Sequence, residues 1–341
     1  MTASEQTIPQ AFIWRRLHSL TGFWLSLFLI EHLLLNSQAA LLIGDDGSSF
    51  IQGVNAIKAL PYLPFVETLL LGVPIFIHAV WGIKYLRTAK YNSFGGDLAT
   101  PYLPQYSRNH AYTWQRITAW LLLFAILAHV IHMRFIEYPA SAKLGSQSYY
   151  MVRLDFDEGL YTLGSRLDFA LYDRNQIQLK KEKIDSLHSN PSSSKDVWQS
   201  FLSSLTQIFQ RPKEEISSKE QQTLLAQQHN EQEKEWLSAL EKRPLKAGQV
   251  VAVTKDFGTA ELLMLRDTFK MPVMLVLYTI FVLAACFHAF NGVWTFLIKW
   301  GVTITAASQH IFLKITTAIM VIVAFFGLAS IWLTYWINLK Q

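Results

Sequence analysis

The sequence predicts an all-α integral membrane protein: a bundle of five transmembrane helices, with a large polar insert between the third and fourth helices. Three observations support this class. Of the 341 residues, 51% are hydrophobic and only 16% are charged. The apolar residues fall into long blocks instead of being scattered, as they would be in a soluble domain. A polar segment of well over one hundred residues separates the third block from the fourth.

Each apolar block is close to the ~20 residues that a helix needs to cross a bilayer. The predicted spans are 16–38, 63–87, 113–137, 271–299 and 310–337. They divide the chain into helices one to three (1–139), the insert (140–268) and helices four and five (269–341).

The basic residues predict the orientation of the bundle. Lys and Arg are concentrated before the first span, between the second and third, and between the fourth and fifth; among them are Arg15, Arg16, Lys84, Arg87, Arg108, Arg116, Lys299 and Lys314. Because such residues stay on the cytoplasmic side, we expect a multi-pass protein of the inner (cytoplasmic) membrane. Its N-terminus is then cytoplasmic, while its C-terminus and the insert lie outside. The net charge of +5 is spread around block ends, which argues against nucleic-acid binding.

The insert has little that suggests chemistry. Residues 149–156 alternate like a strand, and residues from about 217 to 243 have a helical pattern that opens with a capping box at Ser217. A serine-rich stretch, Ser192–Ser194, reads as a linker. A structured cap and a flexible loop are both open alternatives for this region.

Four histidines lie well inside four successive spans: His32, His78, His129 and His288. Polar rings in the hydrocarbon layer are costly and are usually functional or paired. At ~1.5 Å rise per residue, His32 and His129 lie ~20–24 Å beyond the basic residues that precede their outward-running spans. His78 and His288 lie only ~9–16 Å before the basic residues that end their inward-running spans. Two levels follow, each with two imidazoles from two helices.

Two imidazoles at one level are what a six-coordinate haem iron requires, so the pattern favours two stacked bis-histidine b haems. Gly82 and Gly292 follow their histidines at i+4, on the same helical face, where a missing side chain would admit the ring edge. Ordinary helix packing is the alternative for such glycines. A hydrogen bond to a neighbouring helix, a zinc site or a proton relay are the alternatives for the histidines. The lone Cys286 permits neither an internal disulfide nor a cysteine metal cage.

The chain resembles the five-helix, di-haem cytochrome b subunit of succinate dehydrogenases from bacteria that use menaquinone, a family related to the anchor subunit of fumarate reductases. The resemblance covers all five spans but not the insert. It rests on the segments RRLHSLTGFWLSLFLIEHLLLN (15–36), IHAVWG (77–82), WQRITAWLLLFAILAHV (114–130) and FHAFNGVWTFLIKWGVTIT (287–305).

The resemblance implies specific roles for the four histidines. His32 and His129 would be the axial ligands of the distal haem, and His78 and His288 those of the proximal haem, nearer the cytoplasm. Electrons would come from a flavoprotein and an iron–sulfur subunit on separate chains and would pass to menaquinone. The alternatives are a di-haem cytochrome b of another respiratory dehydrogenase or hydrogenase, or a haem-free anchor or transporter.

Two acids and a basic group complete the candidate residues. Quinone reduction needs protons as well as electrons, so we expect Glu67, at the outer end of the second span, or Glu31, beside His32, to serve there. An interfacial carboxylate without a role is the alternative for each. Four basic residues lie at the cytoplasmic ends of the spans: Arg15, Arg16, His18 and Arg116. They would contact propionates of the proximal haem or the iron–sulfur subunit. The alternative is that they only anchor the cytoplasmic side of the bundle.

Overall fold

A computed structural model describes residues 8–42, 44–88, 105–188 and 218–340. Contacts divide the chain into two units. One lies within Met1–Ile136 and Thr268–Lys340, and the other within Glu137–Asp267. The predicted linker Ser192–Ser194 and the capping residue Ser217 lie outside the described residues.

Within the described part of the chain, five helices are long and apolar enough to cross a membrane, as predicted. Each end of these helices lies within about six residues of the predicted one; the first and third spans begin earlier than predicted. They are α1 (Gln10–Ser37), α3 (Leu63–Thr88), α4 (Ser107–Ile136), α9 (Pro272–Lys299) and α10 (Ala306–Lys340), and a short helix, α2 (Ser48–Lys58), connects α1 to α3.

The helix ends follow local sequence signals. Pro272 occupies the first turn of α9, where its missing N–H costs nothing. Before α10, the Thr305 hydroxyl accepts from the Ser308 amide at 3.1 Å, and the Thr305 amide donates to the Ser308 hydroxyl at 3.1 Å. This reciprocal pair is a capping box with serine in place of glutamate. Ahead of α2, Asp45 accepts hydrogen bonds from Ser48 and Ser49, and the Ser48 bond lowers the pKa of that carboxyl.

The bundle is held together along α1, which packs against α3, α9 and α10, while α4 packs against α9. A Cβ at Gly327 would lie 2.6 Å from Val282 Cγ1 and 3.1 Å from Leu33 Cδ1. Only glycine fits where α10 approaches α1 and α9 this closely. Most other apolar side chains face outward, as expected of helices that are hydrophobic all round and surrounded by lipid.

Two of the transmembrane helices contain π-helical turns. One turn, Thr68–Gly72, lies near the start of α3, and the other, Ile131–Ile136, ends α4. The Trp24 indole N–H donates to the Leu70 carbonyl at 2.7 Å, so a neighbouring helix satisfies a group inside the first π turn. Such turns are frequent at functional sites.

The insert contains a folded α/β unit. Its antiparallel sheet has the order β1-β2-β4-β3, built from β1 (Ala140–Leu144), β2 (Gln147–Asp155), β3 (Phe169–Tyr172) and β4 (Gln249–Thr254). Its helices are α5 (Gly159–Leu167), α6 (Arg174–His188), α7 (Ser218–Glu241) and α8 (Phe257–Thr268). The strand predicted at 149–156 corresponds to β2, and the helix predicted from about 217 corresponds to α7.

The insert has its own hydrophobic core. Trp236, Leu237 and Leu240 of α7 are buried against Met151 of β2 and Val251 of β4. The described part of the insert is therefore a folded unit with a core of its own. The other three strands were not predicted, because each is short and β4 is buried on both faces and therefore lacks alternation.

An ionic cluster near the first strand joins distant parts of the insert. The Glu137 carboxylate accepts from Arg153 at 3.2 Å and from Arg243 at 3.3 Å, and Arg243 also donates to the Tyr138 carbonyl. Burial lowers the pKa of the Arg243 guanidinium, and the Glu137 charge opposes that shift. The cluster connects β1, β2 and the end of α7 through one carboxylate.

Candidate haem sites

The four histidines of the spans come together in two pairs. The rings of His78 and His288 have centroids 6.3 Å apart at an interplanar angle of 82°. The rings of His32 and His129 have centroids 6.1 Å apart at 78°. The first pair, called the inner pair, joins α3 to α9, and the second, the outer pair, joins α1 to α4. The depths estimated from the sequence group the same histidines.

The spacing of both pairs fits a shared metal ion. Two imidazole nitrogens bonded at about 2.0–2.1 Å on opposite faces of one metal have ring centroids about 6 Å apart. Mutually perpendicular rings are compatible with this, since each ring can rotate about its own metal–nitrogen bond. Among the described residues no group of three or more His, Cys, Asp or Glu forms a metal cage, and a bis-histidine haem needs none.

At the inner pair, hydrogen bonds orient both rings. His78 Nδ1 lies 3.1 Å from the His18 carbonyl oxygen, which can only accept. Nδ1 of His78 therefore carries the proton, and Nε2 offers its lone pair. His288 Nδ1 lies 3.3 Å from the Thr118 hydroxyl, and Gln115 donates to the His288 carbonyl at 3.0 Å.

Close packing also holds His78. Its ring stacks on the His18 ring with centroids 4.1 Å apart at 12°. A Cβ at Gly22 would lie 2.7 Å from Cε1 and 3.1 Å from Nδ1 of His78. Glycine at position 22 is what lets α1 approach the His78 ring this closely.

At the outer pair, aromatic side chains replace close backbone packing. His129 Nδ1 lies 3.1 Å from the Tyr278 hydroxyl, and Phe281 lies against the same ring with centroids 5.7 Å apart. The His32 ring stacks on Phe28 at 5.3 Å. The outer pair thus lies among side chains of α1, α4 and α9.

Two further observations test whether a haem fits. A Cβ at Gly82 or Gly292 would meet nothing nearer than the His18 ring at 3.7 Å or the Gln115 amide at 3.8 Å, so neither face is closed by protein. Among the described residues, Nδ1 of His18 and Nδ1 of His132 are buried without a hydrogen-bond partner. An unpaired buried polar atom costs about 1–3 kcal/mol, and one lies at each level, where a haem propionate could pair it. The residues present fit the group.

The remaining predicted residues fall into three places. Arg16 donates to the Lys299 carbonyl at the end of α9, and its guanidinium lies over Trp300 at 5.2 Å. Arg116 donates to the Tyr112 carbonyl at 3.0 Å and lies over the Tyr112 ring. Arg15 is exposed near the start of α1.

The structure separates the two predicted acids. Glu67 accepts from Arg134 at 2.8 Å, and this ion pair joins α3 to α4 beside both π turns. Glu31 is exposed on α1, because the residue before His32 points about 100° away around the helix. The geometry therefore brings Glu67, and not Glu31, into contact with another charged residue of the bundle.

Sequence reasoning missed Thr118, Tyr278 and Arg134. A usable signal existed for Tyr278, which precedes His288 by ten residues. That is ~15 Å of helix, so the depth arithmetic would have placed Tyr278 at the outer level. For Arg134 and Thr118, the direction in which each side chain points was needed as well.

Comparison with known proteins gives one relative to report. The chain is 22% identical over 321 residues to the succinate dehydrogenase cytochrome b558 subunit of Bacillus subtilis (strain 168), covering 94% of this chain and 95% of the relative. The predicted resemblance to cytochrome b subunits of succinate dehydrogenase is thereby confirmed. No family model and no solved structure matches the chain.

Proposed function

We propose that this chain is the membrane-anchor cytochrome b subunit of a succinate dehydrogenase. In this role it carries electrons from an iron–sulfur subunit through two bis-histidine b haems to menaquinone. The observation that carries the proposal is the pair of histidine pairs, with ring centroids 6.1 and 6.3 Å apart at two depths of one bundle. The relative named above supports the choice of complex.

The chain's own residues perform the binding and the tuning. His78 and His288 hold the inner haem, and His32 and His129 hold the outer haem. When bound, haem b supplies one-electron redox chemistry, and the protein sets its potential through ligand orientation and burial. Gly82 and Gly292 would be the positions where the porphyrin edge packs.

The partner subunits would bind at the cytoplasmic ends of the bundle. Arg15 is exposed, and Arg16 and Arg116 already have contacts to carbonyl groups and aromatic rings. We assign Arg15 to the iron–sulfur subunit and His18, with its unpaired Nδ1, to a propionate of the inner haem. The flavoprotein subunit would attach through the iron–sulfur subunit, since this chain carries no flavin or cluster motif.

Glu67 is the residue we assign to proton delivery at the quinone. Its ion pair with Arg134 brings a proton carrier and a positive charge together beside two π turns. The arginine can donate a hydrogen bond to a quinone carbonyl oxygen while the carboxylate exchanges a proton. Glu31 is the weaker assignment, because it is exposed and adjoins only the outer ligand.

A spectrum and a haem assay test the cofactor. Purified membranes should show low-spin b-haem bands on reduction and two haems per chain. Absence of low-spin haem would overturn the proposal in favour of a haem-free anchor or transporter.

Co-purification tests the complex. A tagged chain extracted in mild detergent should carry a flavoprotein and an iron–sulfur protein with succinate-dependent reduction of a menaquinone analogue. Co-purification with a different dehydrogenase or a hydrogenase, with both haems present, would support the assignment as a cytochrome b. It would overturn the assignment to a succinate dehydrogenase.

Thiol labelling tests the orientation. Because Cys286 is the sole cysteine and is buried, Ser165→Cys in the insert and Gln105→Cys before α4 are clean reporters. In intact cells an impermeant thiol reagent should label Ser165→Cys but not Gln105→Cys. The reverse pattern would invert the topology.

A further inference from the structure

Two hydroxyl groups bind the ligand histidines across one helix pair. On α4, Thr118 lies 3.3 Å from Nδ1 of His288, which belongs to α9. On α9, Tyr278 lies 3.1 Å from Nδ1 of His129, which belongs to α4. Each helix therefore carries a ligand at one level and a hydroxyl at the other, eleven residues apart on α4 and ten on α9.

The hydrogen-bond direction at Thr118 follows from its second contact. Its hydroxyl donates to the Trp114 carbonyl at 2.7 Å, so its oxygen lone pairs face the histidine. Nδ1–H of His288 is then the donor, and a neutral imidazole with its proton on Nδ1 presents a free lone pair on Nε2. The hydroxyl selects the tautomer that can bind a metal through Nε2.

At Tyr278 the direction follows from the proposed ligation. With Nε2 of His129 as the ligating atom, Nδ1 carries the proton, and the phenol oxygen 3.1 Å away accepts it. Aromatic contacts fix the ring: Phe269 lies edge-on at 5.3 Å and 89°, and Phe281 at 6.0 Å. The phenol is held in place by packing that does not depend on its hydroxyl.

We propose that Thr118 and Tyr278 are positioning residues that set the reduction potentials of the inner and outer haems separately, one hydroxyl for each haem. The inference rests on the proposed function, since it requires bound haem. An acceptor on Nδ1–H orients the ring and makes Nε2 a stronger donor, as hydrogen-bond partners of metal-bound histidine do. A stronger donor stabilises the oxidised, more positive iron and lowers the potential.

The test is a redox titration of the intact complex with each hydroxyl removed. Tyr278→Phe keeps the ring and its packing, and Thr118→Val keeps the branched shape. Tyr278→Phe should raise the potential of the outer haem alone, and Thr118→Val that of the inner haem alone. We expect a change of about tenfold in the ratio of oxidised to reduced haem at fixed potential, which is about 59 mV for one electron.

Matched controls remove hydroxyls that bond no histidine. Thr279→Val is adjacent to Tyr278 and loses a bond to the Leu275 carbonyl and one from the Trp332 indole. Thr316→Val is buried in α10 and loses a bond to the Phe312 carbonyl. Neither should move a potential. Thr118→Ser, which restores the hydroxyl, should return the inner haem to the wild-type value even if Thr118→Val loses that haem.

The outcomes separate this inference from the proposed function. If the wild-type chain binds no low-spin haem, the proposed function fails. If it binds two haems and both variants keep wild-type potentials, or if each variant shifts both haems equally, only the inference is overturned. A Thr118→Ser variant that behaves like Thr118→Val would also overturn it.

Discussion

The inner and outer histidine pairs have nearly the same spacing but are held in different ways. Around His78 of the inner pair, the restraints are main-chain and steric: the His18 carbonyl binds its ring, and Gly22 lies against it. The other inner ring, His288, is bound by the Thr118 hydroxyl. Around the outer pair, aromatic side chains pack on both rings and a phenol makes the hydrogen bond. One geometry can thus be reached by backbone approach or by side-chain packing, and the two levels should respond to different substitutions.

The largest effect should come from removing one of the proposed haem ligands. His78→Ala should abolish the inner haem and leave the outer spectrum in place, and His32→Ala should do the opposite, because each pair is built from separate helices. The haem content and the separate contributions of the two haems to the absorption band of the reduced protein measure this. If His78→Ala removed both haems while the chain stayed in the membrane, the two levels would not be independent.

A smaller loss should follow from crowding the inner ring. In Gly22→Ala the new methyl would lie within 3.1 Å of two ring atoms of His78, and overpacking of this kind costs about 1–3 kcal/mol. We expect reduced inner-haem occupancy or an altered inner-haem signal in electron paramagnetic resonance, with a normal outer haem. Gly72→Ala is the matched control, since its Cβ would meet only Thr68 at 3.7 Å. An unaltered inner haem in Gly22→Ala would show that α1 yields easily at this position.

The glycines that follow the inner ligands offer a finer test. In Gly82→Ala and Gly292→Ala the methyl meets protein only at 3.7 Å or beyond, so protein packing alone tolerates both changes. Where the porphyrin edge lies against these positions, the methyl should weaken inner-haem binding. The ratio of inner to outer haem after purification measures this loss of inner-haem binding directly. Full inner-haem content in both variants would assign the glycines to ordinary helix packing.

Substitution of Glu67, the acid beside the π turns, should have the least effect on haem binding. Glu67→Gln should leave both haem spectra unchanged while quinone reduction falls by roughly 10²-fold or more, as for loss of a proton-transfer group. Glu31→Gln, on the exposed side of α1, is the control and should keep near-normal turnover. Normal turnover in Glu67→Gln would remove this residue from the mechanism, and a loss confined to Glu31→Gln would exchange the two assignments.

Much of the bundle was predictable because hydropathy and the rise per residue of a helix depend only on position along the chain. The length of an apolar block sets a span, and the number of residues from a basic end sets a depth, so His32, His78, His129 and His288 could be sorted into two levels without coordinates. Glu67 could be named for the same reason. Its partner could not, since Arg134 is reached through a π turn that changes which way the end of α4 faces.

The insert shows the opposite case. Only β2 has the alternating pattern that predicts a strand, whereas β4 is buried on both faces and β3 is four residues long. Their pairing depends on contacts between segments far apart in the chain, as between Tyr172 and Val251. Local periodicity carries no information about such partners.

By itself, the sequence determined the number of spans, the two histidine levels and the family resemblance. Only the tertiary structure decided what surrounds each candidate residue: Gly22 against the His78 ring, Thr118 beneath His288, Tyr278 beside His129 and Arg134 on Glu67. The physical reason is that depth depends on position along one helix. A contact depends on the rotation and crossing of two helices, which the packing of the whole bundle sets.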